Sequence, residues 1–405
     1  LKKIATIIAI ATLFAGFSTV GAGSVQIADK LQSPTACVSP NGENVFFVTR
    51  SAGTVPTTSI KVLNTNSNTV TEIARDCKPS FGSDITYLAS DKYFCYIDTR
   101  DNGGNTYNVY SYPIGSSKST LLFARSHPIV KMAVVRTNLV WFESGETMSI
   151  WTKALDSSSE PVQIAPLGVE NTSNISMYAF TYNNVDYVVY DDKSNDRSAI
   201  RLYNLATKET TTIADTEVAE YSPRYQNGYI FYIKCRIQDP YTPASTFHGG
   251  SIECYSINDA STKPIYEFDG MYLPTLISNM RNDSNFYFTL VNRATSAFEC
   301  KKYNIGAQSL YPGFTSDGST FINIPQESCN ANTVCFSEFT NMFSSNLYTF
   351  DTIAQAKNTV SDSKDSELMV GYAGNRYIYS AIEFTPDSTP RMPIISNIKL
   401  MTWEK

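Results

Sequence analysis

Histidine is almost missing from this chain, with 2 in 405 residues, and charged side chains make up only 17%. Each scarcity excludes something. His127 and His248 cannot complete a typical zinc site with the cysteines, none of which forms a Cys-x-x-Cys. The two histidines fall in different repeats and no Gly-x-Ser-x-Gly elbow occurs, which argues against a Ser–His–Asp hydrolase. Basic runs are absent and the net charge is −6, so the chain has no electrostatic footprint for nucleic acid or anionic lipid. Beyond the first 22 residues no apolar run approaches the length of a membrane span.

What the chain has is tyrosine and phenylalanine, 26 and 22 of them, in a recurring frame. One short strand returns eight times, as a small or polar residue, an aliphatic, two variable residues, an apolar residue and a small polar residue. It begins at Ser59, Asn108, Ser149, Ala199, Ser251, Glu299, Asn346 and Asn397, with successive starts 41 to 52 residues apart. Four strand-sized segments fill each period, which is the signature of an all-β propeller. The count predicts eight blades. Seven is the alternative, should the irregular stretch Ser309–Pro325 not form two separate strands.

The second strand of each repeat is nearly continuously apolar, as in Val45–Val48, Phe286–Leu290 and Val334–Phe339. Such runs predict burial on both faces, between neighbouring blades. The fourth strands repeat Ile73-Ala74-Arg75, Phe123-Ala124-Arg125, Ile164-Ala165-Pro166 and Ile213-Ala214-Asp215. The same signature, Ile27-Ala28-Asp29, stands before the first blade, and the chain ends on a third strand, Asn397–Trp403. The N-terminal segment Ser24–Asp29 is therefore expected to pair with Asn397–Trp403, closing the ring and covering its edges.

Residues 1–22 read as a secretory signal peptide. Lys2 and Lys3 precede the apolar run Ile4–Phe17, and small residues follow at Val20-Gly21-Ala22. An uncleaved anchor is the alternative. Cleavage removes two lysines and no acid, taking the charge from −6 to −8. Residues 23–405 form a single propeller domain, and a secreted, periplasmic or cell-surface location is expected. An even count of cysteines in an exported chain favours disulfides. Hairpin symmetry predicts Cys235–Cys254, and the tight turn after Cys329 predicts Cys329–Cys335. Cys37, Cys77, Cys95 and Cys300 have no assigned partner. Asn171, Asn174 and Asn282 occupy glycosylation sequons.

Ser39-Pro40-Asn41-Gly42 before Val45-Phe46-Phe47 resembles the Ser-Pro-Asp-Gly turn of TolB-like, WD40-like propellers, with Asn41 in place of Asp. Tyr221-Ser222-Pro223 leading to Asn227-Gly228-Tyr229 is a weaker echo. The Trp-Asp and Gly-His marks of true WD40 repeats are absent. The resemblance implies a non-catalytic binding scaffold or the propeller half of a peptidase.

The candidate ligand residues lie between second and third strands. Asp98 and Asp101 end one second strand, and Asp191 and Asp192 end another. Paired carboxylates of this kind suit glycan hydrolysis, while Asp is also an ordinary turn residue. No cofactor is expected. The run Asp98–Asn105 has oxygens enough for calcium but departs from EF-hand spacing. The longest loop, Arg236 to Gly250, carries Asp239, Tyr241, Phe247 and His248, and long loops in compact repeats are often functional. Thr315-Ser316-Asp317-Gly318-Ser319-Thr320-Phe321 approaches a sialidase Asp box, but its Asp and Gly are adjacent and a turn is expected instead. The reading is a binding protein that recognises a protein or glycan through one face of the ring. The alternative is an extracellular carbohydrate-active hydrolase or lyase with carboxylates near the central channel.

Overall fold

The computed structural model describes residues 24–51, 57–80, 88–100, 106–167, 176–192, 198–237, 247–277, 283–326, 328–330, 332–341, 343–361, 365–373, 376–385 and 394–404. They form eight antiparallel sheets, one per repeat, and seven of them run in chain order from an inner strand a to an outer strand d. Blade 5 is typical, with Ala219–Gln226, Tyr229–Ile237, Phe247–Ser256 and Ser261–Phe268. The count is eight and not seven, because Ser309–Ser316 is the outer strand of blade 6 and Phe321–Asn323 begins blade 7.

Ring closure follows the expected pairing. Ser24–Ala28 lies antiparallel to Ile394–Glu404, with Ser24 opposite Trp403 and Ala28 opposite Leu400. It forms the outer strand of blade 8, whose other strands are Ser366–Ala373, Arg376–Thr385 and Ile394–Glu404. The Tyr379 hydroxyl donates to Ser24 Oγ or accepts from it at 2.6 Å, which ties the closing strand to the second strand as well.

The apolar second strands are buried as their composition demands. Val45, Phe46 and Phe47 are fully covered, as are Phe286, Tyr287 and Phe288. Between blades, aromatic rings stack flat. Phe46 meets Phe94 at 4.1 Å, Phe180 meets Tyr225 at 3.9 Å and Phe231 meets Phe286 at 3.8 Å. Each such pair contributes roughly 0.5–1.5 kcal/mol beyond the area it buries.

The small polar residue that closes the recurring strand has a local job. The Asn64 side-chain oxygen accepts the N–H groups of Asn66 and Ser67 at 3.1 and 2.9 Å. Asn204 does the same for Ala206 and Thr207, and Asp351 for Ile353 and Ala354. Four residues after each, the backbone takes positive φ, at Asn68, Lys208 and Gln355. The side chain thus seals a tight c–d turn that the backbone completes in the left-handed region.

These turns and the a–b turns share one face of the ring, here the lower face. The b–c segments and the d–a connectors between blades share the upper face. In the Ser39–Gly42 turn, Ser39 Oγ accepts the Asn44 N–H at 3.0 Å and Gly42 sits at φ 72°. That is the physical content of the Ser-Pro-Asn-Gly motif. Lower-face turns also clasp the next blade. The Asn41 N–H donates to Asp91 at 2.9 Å, Ser90 Oγ to the Arg136 carbonyl at 2.7 Å, and Gln226 Nε2 to the Asp283 carbonyl at 2.9 Å. At blades 3 and 4, buried Asp186 takes Arg136 Nε at 2.8 Å, Asn138 Nδ2 at 2.9 Å and Thr181 Oγ1 at 2.8 Å.

No disulfide joins the eight cysteines, all of which are described and buried. Both expected bonds are corrected by register. Cys235 stands opposite Gly250, and Cys254 opposite Phe231. The two are four positions apart along the ladder, about 13 Å at ~3.4 Å per residue, against a Cα limit of ~7 Å for a disulfide. The hairpin is centred nearer blade 5's second strand than symmetry about residue 244 requires. Cys329 pairs with Val334, so Cys335 faces the opposite side of the sheet. Cys329 packs with Ile277 and Phe298, whereas Cys335 packs with Met369 and Tyr377.

Candidate functional site

The upper end of blade 5 opens into a cleft of about 870 Å³. Its wall begins with the strand Tyr229–Ile237, in which Lys234 and Arg236 follow the apolar run Tyr229-Ile230-Phe231-Tyr232-Ile233. Along the ladder Lys234 lies between Glu220 on the inner strand and Ser251 on the third strand, and Ser251 stands opposite Glu267 on the fourth. Lys234, Ser251 and Glu267 line the cleft together with Glu253, Cys235 and Asp269, and Thr216–Val218 of the d–a connector close one side.

Two adjacent glycines shape the floor. A side chain at Gly249 would meet the Phe268 carbonyl at 2.5 Å, and one at Gly250 would meet the Lys234 carbonyl at 2.1 Å. Gly249 also has φ 90°. Only glycine lets the three backbones approach so closely at the bulge between Cys235 and Ile237.

The polar groups are held in place. Ser251 Oγ donates to Glu253 Oε1 at 2.5 Å. Glu220 is wholly buried beside the cleft wall, and its carboxylate accepts the Thr216 hydroxyl at 2.6 Å and the Thr216 N–H at 3.2 Å. Burial pushes the Glu220 carboxyl above its ordinary value, against the pull of the Thr216 hydrogen bonds and of Lys234. Ser198 Oγ of blade 4 donates to the Glu220 carbonyl at 2.5 Å, which ties the inner strand of blade 5 to the preceding blade. Burial pushes the Cys235 thiol up to about 12, against the pull of the Tyr221 hydroxyl 3.3 Å from its sulfur. The cleft can therefore bind through one ammonium group and several carboxylates, and its ordered hydroxyls add direction.

The sequence-derived candidates are scattered by comparison. Asp98 is buried, and takes the N–H groups of Lys78 at 3.0 Å and Arg100 at 3.1 Å and the Arg100 guanidinium at 2.6 Å. Asp191 is buried and accepts the Ser176 N–H at 3.1 Å. Asp192 pairs with Arg201 at 3.0 Å, and the same guanidinium reaches Asp215 at 2.9 Å. These three carboxylates fasten strand ends to neighbouring backbone and arginine. Asp101, Asp239, Tyr241 and the sequons at Asn171, Asn174 and Asn282 lie outside the described residues. Phe247 and His248 were expected in a loop, but their backbone belongs to the third strand of blade 5. The segment between these strands is 238–246, which lies outside the described residues. Among the described residues, no group of three or more His, Cys, Asp or Glu is set to hold a metal ion.

Lys234, Glu220, Ser251, Glu253 and Glu267 escaped sequence reading. Two signals were present. A lysine interrupts a strand after five apolar residues, and a Gly-Gly pair sits where no turn is needed.

No family model matches the chain, and no curated protein matches it. Solved structures do. A prolyl endopeptidase structure is 12% identical with a TM-score of 0.49, covering 78% of this chain and 46% of that one. This chain therefore spans less than half the length of that peptidase. TolB from Acinetobacter baumannii is 11% identical with a TM-score of 0.38, over 74% of this chain and 76% of TolB. An oligogalacturonate lyase in complex with manganese is 9% identical with a TM-score of 0.46, over 90% and 98%. The structural neighbours thus include TolB and peptidase propellers. The eight-bladed ring itself rests on the sheet order described above.

Proposed function

We propose that this propeller is a non-catalytic binding protein of an exported compartment, which recognises a protein or glycan through its upper face. The blade 5 cleft carries the reading. It combines volume, a fixed backbone floor and convergent polar groups, which are the marks of a recognition site. The leader-like N-terminus supports export, and burial of all eight thiols shields them from oxidants. The carboxylates first considered for glycan cleavage support binding rather than turnover, since Asp98, Asp191 and Asp192 already hold strand ends and arginines. An acidic net charge without basic runs supports a partner other than nucleic acid.

The test pairs a glycan array with a peptide panel, using wild type and Glu253→Gln, alongside turnover assays on oligogalacturonide and other acidic polysaccharides. Saturable binding weakened by Glu253→Gln, without product formation, is the expected result. Cleavage of any polysaccharide that disappears in Glu253→Gln overturns the non-catalytic reading and favours the carbohydrate-active alternative.

A further inference from the structure

The upper face beyond the cleft holds a second surface, across blades 6 to 8. Large apolar side chains stand exposed there: Met271 at 47%, Leu273 at 46%, Phe321 at 68% and Ile395 at 53%. Most other exposed large apolar residues sit on outer strands, such as Val70, Leu121 and Val162. The upper-face group is joined by contacts. The Met271 carbonyl accepts the Arg293 N–H at 2.8 Å. The turn after Arg293 packs on Gly318, where a side chain would meet the Thr295 carbonyl at 2.2 Å. Gly318 leads to Phe321, whose ring lies 5.6 Å from Phe339. The same hairpin carries Phe343, 5.6 Å from Phe384 of blade 8, and Phe384 stands opposite Ile395.

Acids border this strip at a regular interval. The d–a connectors into blades 5, 6, 7 and 8 carry Glu217, Asp269, Asp317 and Asp365. The described residues of these four connectors include no lysine or arginine, although Lys364 precedes Asp365 in the last and exposed Arg293 lies beside Met271 on the neighbouring b–c turn. Asp269 and Asp317 are exposed, and each is fixed by a neighbouring N–H, from Met271 and Ser319, at 2.8 Å. The defective Asp box thus places an oriented carboxylate beside an exposed phenylalanine.

We infer that this strip docks a partner-protein segment in which apolar side chains alternate with lysine or arginine. The inference rests on the reading of the ring as a binding protein. Phenylalanine, methionine and leucine offer no hydrogen bond to a sugar hydroxyl, whereas they cover aliphatic and aromatic side chains well. The bordering carboxylates select cationic flanks and reject acidic ones. Exposed apolar side chains bordered by charge are what protein interfaces leave when empty.

The test selects a displayed library of random twelve-residue peptides on the protein, then titrates synthesised winners by fluorescence anisotropy. Winners should combine apolar residues with Lys or Arg. Phe321→Ser should weaken them about tenfold or more, as loss of a central aromatic anchor does. Asp317→Asn should weaken them a few-fold, with a shallower salt dependence, and Glu253→Gln should leave them unchanged. Phe321→Ser is an exposed position, and an unchanged melting temperature checks that the ring is intact. Winners that are acidic, or indifferent to Phe321→Ser, overturn the inference. Peptide binding lost in Glu253→Gln and kept in Phe321→Ser leaves the binding reading standing and sinks this one. An oligosaccharide bound in a Phe321-dependent way, without peptide binding, gives the strip to sugars and overturns it. If neither peptides nor oligosaccharides bind, both readings fall.

Discussion

On the lower face, Asn64, Asn204 and Asp351 commit their side-chain oxygens to their own turns, while Asp186 holds three donors at a blade boundary. On the upper face, Glu217, Asp269 and Asp317 are exposed, and Met271, Leu273 and Phe321 stand uncovered beside them. Residues of one chemical kind thus serve different ends at the two ends of the same strands. Below, acids and amides are satisfied by protein. Above, Asp98, Asp191 and Asp192 are satisfied by protein as well, whereas Glu217, Asp269 and Asp317 stand exposed. The lower turns are short and repeat in sequence because local backbone geometry fixes them. The upper segments differ in length and composition from blade to blade, as segments freed from that duty can.

Three experiments break or sharpen this contrast. The largest effect should come from deleting residues 23–30, which removes the outer strand of blade 8 and leaves Ile394–Glu404 as an open edge. A fall in melting temperature of roughly 10 °C or more is expected, from a loss of several kcal/mol in a chain of this size. A truncated protein that melts with the intact one refutes closure as a stabilising device. Next, Asp186→Ala on the lower face should cost about 2–3 kcal/mol, since it strands donors at a buried boundary. Glu217→Ala on the upper face should stay within about 0.5 kcal/mol. Chemical denaturation of the two variants side by side measures the contrast, and equal costs would erase it.

The smallest effect concerns Glu220, the one wholly buried acid at the cleft wall. Its folded-state value is raised, so the folded chain holds this proton more tightly than the unfolded chain does. Its contribution to stability is therefore fully present below the ordinary carboxyl value of 4.5 and is lost as pH rises through the raised one. Glu220→Gln cannot titrate and keeps an acceptor for the Thr216 hydroxyl. Melting temperatures of both proteins between pH 4 and pH 8 should show wild type losing ground to the variant as pH rises. Parallel curves would mean that the carboxyl binds its proton equally in the folded and unfolded chain, and would sink the raised value.

The fold was legible because its determinants are local and repeated. The eightfold strand signature and the Ile27-Ala28-Asp29 echo led to the blade count and to the closing pair. The site was not legible, for a physical reason. Glu220, Lys234, Ser251 and Glu267 become neighbours only through ladder register across four strands, and register is set by a bulge that no composition reveals. The cysteine pairs failed for the same cause. Cys235 and Cys254 are centred on 244.5 and the blade 5 hairpin on 242.5, an error of two residues, and a partner shifts two positions for each residue of such error.

Closure by the first strand also imposes an order in time. Ser24–Ala28 is among the earliest parts of the ring to be synthesised, and its partner Ile394–Glu404 is the last. At ordinary rates of synthesis roughly 20 to 75 s separate them. During that interval Val25 and Ile27 have no strand to join, and the lengthening chain between the two ends must stay free of wrong pairings. The final blade is therefore completed only after its third strand has left the ribosome.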